Sequence, residues 1–436
     1  LKPLTDKAVR KYLERYAEPE ATAGASLAAG GQTWAALLAI PAYGEGQSLF
    51  ETLNSVPPCA TGRVLVVIVI NEGIDPPRWA REANTLSLDR IRGQGLEALD
   101  EHCSIGHHEG HDLVLIDRTG ANALPAGQGV GLARKIAADF AVALWAHGGT
   151  ATPWIHCSDA DALLPGDYFD RPRHTAAAHT FDFRHECSAK DEDVAILEYE
   201  IYLRYAVLGL RAAGSPWAWH AIGSTLCIDA RAYAQVRGFP RREAAEDFHL
   251  LTKLAKVGAV EPLRGAPIRL NGRVSERVPF GTGRAMQLAR ERARDAAPLL
   301  VPAPGVYASL AAWQRALADL ASRTTRSVEQ AAIRAAHQHQ VDATALLAAL
   351  DAIGARAATE KLLPNQGDLA RPLNESFDAL ATLRLLHALR DQSQPEVPLA
   401  EAITSAPFLD PAVREAWDDR EAVRGALINQ ERRSLR

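Results

Sequence analysis

The sequence predicts an α/β protein: a Rossmann-like, mostly parallel sheet with helices between its strands, followed by an all-helical C-terminal region. Three observations carry that expectation. Short apolar runs at 35–40, 64–70, 113–116 and 154–157 are bounded by turn residues, as buried strands are. Between them, apolar residues recur at steps of three and four, as in Phe50, Leu53 and Val56 and in Val130, Ala133, Ala137, Phe140 and Leu144. Beyond residue 296 the chain becomes Ala- and Leu-rich and the strand-like runs stop.

Taken in order, residues 1–31 read as a short amphipathic helix over 6–16 followed by an Ala/Gly-rich connector over 21–31. An α/β domain then occupies 32–290. Its first strand stops at Pro41, its second is β-branched, its third precedes a long helix, and its fourth ends in the acidic turn Asp159-Ala160-Asp161. The helical domain spans 296–436 and reads as roughly five helices without a strand. Ser327 with Gln330 three residues later fits a capping box. Asp410 before Pro411 fits an N-cap followed by proline at the first helical position. Phe377, Leu380, Leu383 and Leu386 form a helical stripe that needs a partner surface, either within the domain or in a homodimer.

Composition removes several function classes. With 48 basic and 53 acidic residues, a net charge of −5 and no long basic run, the electrostatic footprint of a nucleic-acid binder is missing. Five cysteines are too few, and odd in number, for a disulfide scaffold. No apolar stretch approaches the ~20 residues that a membrane-spanning helix needs, and no signal segment opens the chain. The expectation is a cytoplasmic protein without a transmembrane segment.

Chemistry concentrates in four segments. A strand ending in Asp159-Ala160-Asp161 sets two carboxylates at the sheet's carboxyl edge, where open α/β folds bind ligands. Such hard oxygen donors suit Mg²⁺ or Mn²⁺ bridging phosphates, although an acidic turn before a helix is the plainer reading. The others are Ile40-Pro41-Ala42-Tyr43-Gly44-Glu45 at the first strand end, Gly129-Val-Gly-Leu-Ala-Arg134-Lys135 opening a helix, and Gly238-Phe-Pro-Arg-Arg-Glu-Ala-Ala-Glu246-Asp247 leading into a helix over 248–257. In this order and spacing the set resembles the family 2 glycosyltransferases of the GT-A fold. Their first strand ends in a Pro-x-Tyr-Asn-Glu type motif, an Asp-x-Asp follows the fourth strand, and a Glu-Asp pair begins a later helix. The likeness covers roughly residues 33–286. Gly44 departs from the usual Asn, and Asn71 stands where many members carry an acidic residue.

The resemblance implies a metal-dependent, inverting glycosyltransferase that moves a sugar from a nucleoside diphosphate sugar to a saccharide or other hydroxyl acceptor. Asp247 would deprotonate the acceptor, with Glu246 orienting it. Asp161 would be the direct metal ligand, and Asp159 would touch the ribose or a metal-bound water. Pro41, Tyr43, Glu45 and Asn71 would line the nucleotide pocket. Arg134 would pair with phosphate or with a nucleotide-site carboxylate, since a guanidinium suits both. His249 is a candidate for the metal shell, against plain packing on its helix. The basic, glycine-bearing loop over 273–284 offers Arg277, Gly281 and Gly283 to a diphosphate and has the makings of a lid; a domain-joining turn is the alternative. Gly127, Gly129 and Gly131 form neither a dinucleotide fingerprint nor a P-loop. Trp217 and Trp219 read as a loop near the site. Cys103, His107, His108 and His111 read as an insertion loop whose spacing matches no closed zinc pattern. From another class, the chain reads as a catalytically silent nucleotide-sugar sensor or assembly partner.

Overall fold

The computed structural model describes residues 6–171, 173–186, 190–272, 282–294 and 297–434. They gather into two compact units, one formed by the described residues within 6–186 and 221–272 and the other by those within 190–220 and 282–434. The mid-chain segment 190–220 thus leaves the first unit for the second, a division that the linear order of motifs does not announce.

The first unit is built on a ten-stranded sheet. Its strands are β1 (Ala36–Ala42), β2 (Val64–Asn71), β3 (Glu97–Ala98), β4 (Cys103–His108) and β5 (His111–Arg118). They continue as β6 (Trp154–Cys157), β7 (Ala162–Leu163), β8 (Ala178–Glu186), β9 (Leu226–Asp229) and β10 (Val260–Asn271). The order across the sheet is β3-β4-β5-β2-β1-β6-β9-β8-β10-β7. The four central strands β5-β2-β1-β6 run parallel; Leu38 of β1, for example, pairs with Val66 on one side and His156 on the other. Antiparallel pairs flank them. This is the expected mixed α/β class with a parallel centre. β1 and β2 are buried along their whole length, as parallel strands covered on both faces must be. Each fully buried Val, Leu or Ile of these runs contributes about 1.5–3 kcal/mol.

Helices α1 (Lys7–Arg15), α2 (Ala21–Ala29), α3 (Gln47–Asn54), α4 (Arg78–Arg92) and α5 (Gly129–Ala146) belong to this unit. The expected Ala/Gly connector over 21–31 is therefore a helix; Ala21, Ala23 and Gly24 are small enough to bury it closely, and Ala propensity favours the helix. α5 is buried from Gly131 to Leu144, so the three charges it carries must be paired. Lys135 donates to Asp139 at 2.7 Å and to the Tyr12 hydroxyl at 2.6 Å, which fastens α1 to α5. Arg134 is committed elsewhere.

In the second unit, α6 (Lys190–Ala212) shares a core with the C-terminal helices: Ile201, Tyr205 and Leu208 are buried with Trp313, Leu317 and Leu320. Nine described helices run from Pro304–Ala321 to Arg420–Arg433, and Leu300–Val301 pairs with Val397–Pro398. The sequence reading of about five helices and no strand is corrected. Asp342, Asp378 and Asp419 each accept two backbone N–H groups, capping new helices where the apolar spacing alone reads as continuous. Ser327 accepts from the Gln330 N–H at 3.2 Å, the expected cap. Of the expected stripe, Phe377 and Leu386 are buried and Leu380 is half-buried, whereas Leu383 is exposed and Leu385 and Leu389 are buried in its stead. Trp217 is also core here, its indole N–H donating to the Phe377 carbonyl at 3.0 Å, and not a site-loop residue. A buried charge ladder joins α6 to the last helix. Arg204 bridges Glu200 (2.8 Å) and Glu431 (2.7 Å), and His220 meets Glu431 at 2.9 Å. No described helix is long and apolar enough to cross a membrane.

Candidate functional site at the carboxyl edge of the sheet

Because β5, β2, β1 and β6 are parallel, their carboxyl ends share one edge, and the Asp159–Asp161 turn follows β6 there. Arg134 organises that edge. It is buried on α5, and its Nε donates to Glu246 Oε1 at 2.8 Å. One terminal nitrogen pairs with Asp159 Oδ1, and the other donates to the carbonyls of Gly223 (3.2 Å) and Ser158 (3.4 Å). Burial works against its charge, but Asp159 and Glu246 outweigh that cost and hold the guanidinium above its already high range. A planar fork meets these diverging acceptors at once, as a lysine ammonium would not. Gly223 permits the approach, because a Cβ there would fall on the guanidinium. In this structure the Arg134 donors meet the Asp159 and Glu246 carboxylates and two backbone carbonyls.

Glu246 and Asp247 open the helix α8 (Glu246–Leu254), which α7 (Ala230–Gln235) precedes in the chain. Glu246 is only 4% exposed, so it does not face solvent. Asp247 is not the N-cap. That position is Ala245, in the left-handed region (φ 59°, ψ 23°) with no side-chain cap. A non-glycine residue pays roughly 1–2 kcal/mol there, so the surrounding structure holds this backbone in place. Asp247 lies in the first turn, where its Oδ1 accepts the Phe248 N–H at 2.7 Å. Burial, then repulsion from Glu246, push its carboxyl up to about 7, with Arg134 pulling the other way. A carboxylate poised there can exchange a proton near neutral pH.

Asp159 and Asp161 are both partly exposed on either side of buried Ala160. Among the described residues, no three His, Cys, Asp or Glu side chains form a ready metal cage. A cation that bridges phosphates needs only one or two protein carboxylates, and the donor chemistry of Asp161 and Asp159 fits that demand. His249 follows two residues after Asp247 on α8, half-buried, with its ring edge-on to Phe248. Arg277 and Gly281 lie outside the described residues, as does most of the expected lid; Gly283 falls within the helix Thr282–Arg294.

Around the first motif, Pro41 is buried in β1 opposite Val69, while Tyr43 and Glu45 are half-buried in the following turn. Asn71 turns inward, its amide donating to the carbonyls of Ala42 (2.9 Å) and Val69 (3.3 Å). Asn84 was not anticipated. From α4 it accepts the Gly44 N–H at 2.8 Å and donates to the Asn71 carbonyl at 2.9 Å, stitching the ends of β1 and β2 together. Its signal was present, as a lone amide on the apolar face of Ala80, Leu88 and Ile91. Glu72 performs a similar task, accepting the Gly120 N–H at 2.8 Å. His156 was also missed. Buried within β6, it contacts the Leu37 carbonyl at 2.9 Å, and burial, then the neighbouring Arg173, drive its pKa well down. Cys103, His107 and His108 lie on β4 and His111 on β5, so the expected insertion loop is a hairpin.

No family model and no curated protein matches this chain. Among solved structures it is similar to residues 1–349 of S. aureus TarS in complex with UDP-GlcNAc, at 10% identity over 92% of each chain, with a TM-score of 0.36. It is also similar to the mannosyltransferase PcManGT from Pyrobaculum calidifontis in complex with GDP-Man and Mn²⁺. Identity there is 17%, over 98% of this chain and 92% of that one, with a TM-score of 0.34. With TM-scores this low, the functional reading is carried by this chain's own residues.

Proposed function

We propose that the first unit is a glycosyltransferase of the GT-A type, moving a sugar from a nucleoside diphosphate sugar to an acceptor hydroxyl with inversion. The observation that carries this reading is the buried guanidinium of Arg134, which joins the Asp-x-Asp turn to the Glu-Asp helix start. Two carboxylate motifs about 90 residues apart are thereby brought to the ligand-binding edge of a parallel sheet.

In this reading Asp247 accepts the proton of the acceptor hydroxyl. The oxygen then bonds to the anomeric carbon as that carbon's bond to the diphosphate breaks, and the nucleoside diphosphate leaves. Arg134 fixes Asp159 and Glu246, so the edge is organised before the donor arrives, which lowers the cost of orienting it. A divalent cation, Mn²⁺ or Mg²⁺, held by Asp161 with Asp159, would supply electrostatic stabilisation of the leaving diphosphate.

The test is turnover of UDP- and GDP-sugars with a panel of hydroxyl acceptors. Chelation by EDTA should abolish turnover and Mn²⁺ or Mg²⁺ should restore it, while Asp161→Ala stays inactive in either metal. Full activity in excess chelator would remove the metal from the mechanism. Donor binding without sugar release, across the acceptor panel, would favour the silent sensor instead.

A further inference from the structure

Segment 238–247 leads into the Glu-Asp pair along a path that is fastened at each stage. At its start, Lys253 of α8 donates to the carbonyls of Gly238 (2.7 Å) and Val236 (3.0 Å). Further along, Arg241 pairs with Glu18 at 2.7 Å. The chain then comes down on the first turn of α5. There the Gly131 N–H donates to the Arg242 carbonyl at 2.9 Å. That carbonyl caps α5, whose own N-cap, Gln128, contributes no side-chain bond. The approach is close because position 131 has no side chain. A Cβ there would stand 2.5 Å from the Pro240 oxygen, 2.6 Å from the Arg242 oxygen and 2.7 Å from the Arg242 nitrogen. Gly129 meets the Glu243 backbone in the same way, with 3.0 Å between such a Cβ and the Glu243 Cα. One turn on, Arg134 of the same helix takes Glu246 at 2.8 Å. Between these two holds lies Ala245, whose left-handed backbone its surroundings impose.

We propose that Gly131 is a positioning residue for the general base: by letting the backbone of 240–242 rest directly on α5, it fixes where α8 begins and so where the Asp247 carboxylate stands. The inference rests on the glycosyltransferase reading and deepens it by naming what aims the base at the acceptor hydroxyl. With any side chain at 131, the loop must lift by about 1 Å to reach ordinary van der Waals contact. Arg134 still holds Glu246 in that case, so the lifted loop twists about this anchor and the change falls on Ala245 and Asp247. A misplacement of about 1 Å is enough to cost ~100-fold in rate. The charged groups around Asp247 are Glu246 on its own helix, Arg134 on α5 and Asp159 on the acidic turn. Lifting the loop leaves all three in place but admits water to the helix start, which favours the ionised carboxylate.

Steady-state kinetics of the full chain with Mn²⁺, UDP- and GDP-sugars and the panel of hydroxyl acceptors, followed from about pH 5 to 9, test this. Gly131→Ala should lower kcat by ~100-fold and leave the KM of the donor within about 2-fold of wild type. The pH at which its kcat rises should fall by about one unit or more. Leu144→Val, a core change near the far end of α5, is the control for stability alone: it should lower Tm and leave kcat and the pH profile unchanged. Arg241→Ala cuts the exposed tie to Glu18, should fold normally, and should lower kcat in the same way by ~3- to 10-fold. If Gly131→Ala does not fold, Arg241→Ala decides the matter by itself. A wild-type kcat and pH profile in Gly131→Ala overturn the inference, as does a loss confined to the KM of the donor. Wild-type kinetics in Arg241→Ala overturn it where Gly131→Ala does not fold. A wild-type chain that transfers no sugar from any donor to any acceptor instead overturns the glycosyltransferase reading, and the positioning role falls with it.

Discussion

Replacing Arg134 by Met should destabilise the first unit far more than a typical substitution. The guanidinium is the charge partner of Glu246, which is 4% exposed, and of Asp159, whose side chain is 37% exposed. Asp159 can recover water when the guanidinium goes, so its share stays below about 1 kcal/mol. Glu246 cannot. Removing one member of a buried pair costs about 3–5 kcal/mol, chiefly through the charge left behind. For a unit of roughly this size each kcal/mol moves Tm by about 2–4 °C, which gives a fall of ~6–20 °C. Differential scanning calorimetry at pH 8 is the assay, with the first unit's transition moving and the second unit's unchanged. Arg134→Met/Glu246→Gln should regain a substantial part of the loss, since no buried charge is stranded, and salt should change the difference little because the pair is shielded. A fall below about 3 °C, or strict additivity in the double variant, would refute this account of Arg134.

Three further outcomes follow from other parts of the structure. Asp247 is pushed up to about 7, so turnover should rise as pH climbs through that value and its carboxylate forms. The same shift makes its stability contribution decline between the ordinary carboxylate range and about 7, because the folded state binds the proton more tightly. Asp247→Asn should therefore lose at least ~100-fold in rate yet melt higher than wild type at pH 8; a lower Tm would contradict the upward shift of its carboxyl. Gly223→Ala should displace the Arg134 guanidinium and reproduce part of the Arg134→Met loss, and a wild-type melting curve would show that the contact yields freely. A chain ended after Met286 strips Ile201, Tyr205 and Leu208 of their helical partners and should be insoluble; a soluble, fully active product would make the C-terminal helices dispensable.

The central sheet was legible because β1, β2, β5 and β6 are apolar runs that stop at turns, and burial on both faces leaves that mark. β8 and β10 were not, because their residues alternate in burial or carry charge, as in Arg264 and Arg269 of β10. The acidic segments were visible as motifs, whereas the device that unites them was not. Arg134 looks like any cation on an amphipathic helix until α5 is seen to be buried all round. Asn71 was assigned to the nucleotide pocket from its place in the chain, and only the Ala42 and Val69 carbonyls reveal its inward turn. In the second unit, spacing found helices but miscounted them, since a capping Asp weighs little in sequence against a continuing apolar stripe.

The excursion of α6 into the second unit has a consequence in time. Its most extensive partner is the helix Arg420–Arg433, made roughly 200 residues later. At about 5–20 residues per second, a ribosome takes on the order of 10–40 s to supply that partner. During that interval Ile201, Tyr205 and Leu208 have no finished core to enter, and Glu200 and Arg204 wait for Arg424 and Glu431. The ten-stranded sheet, in contrast, needs no strand beyond β10, so it can be complete while a greasy, charged helix still hangs from the middle of its sequence. A nascent chain of this protein is therefore most exposed to aggregation after its sheet has formed, and a chaperone that binds short apolar segments would find its target at α6.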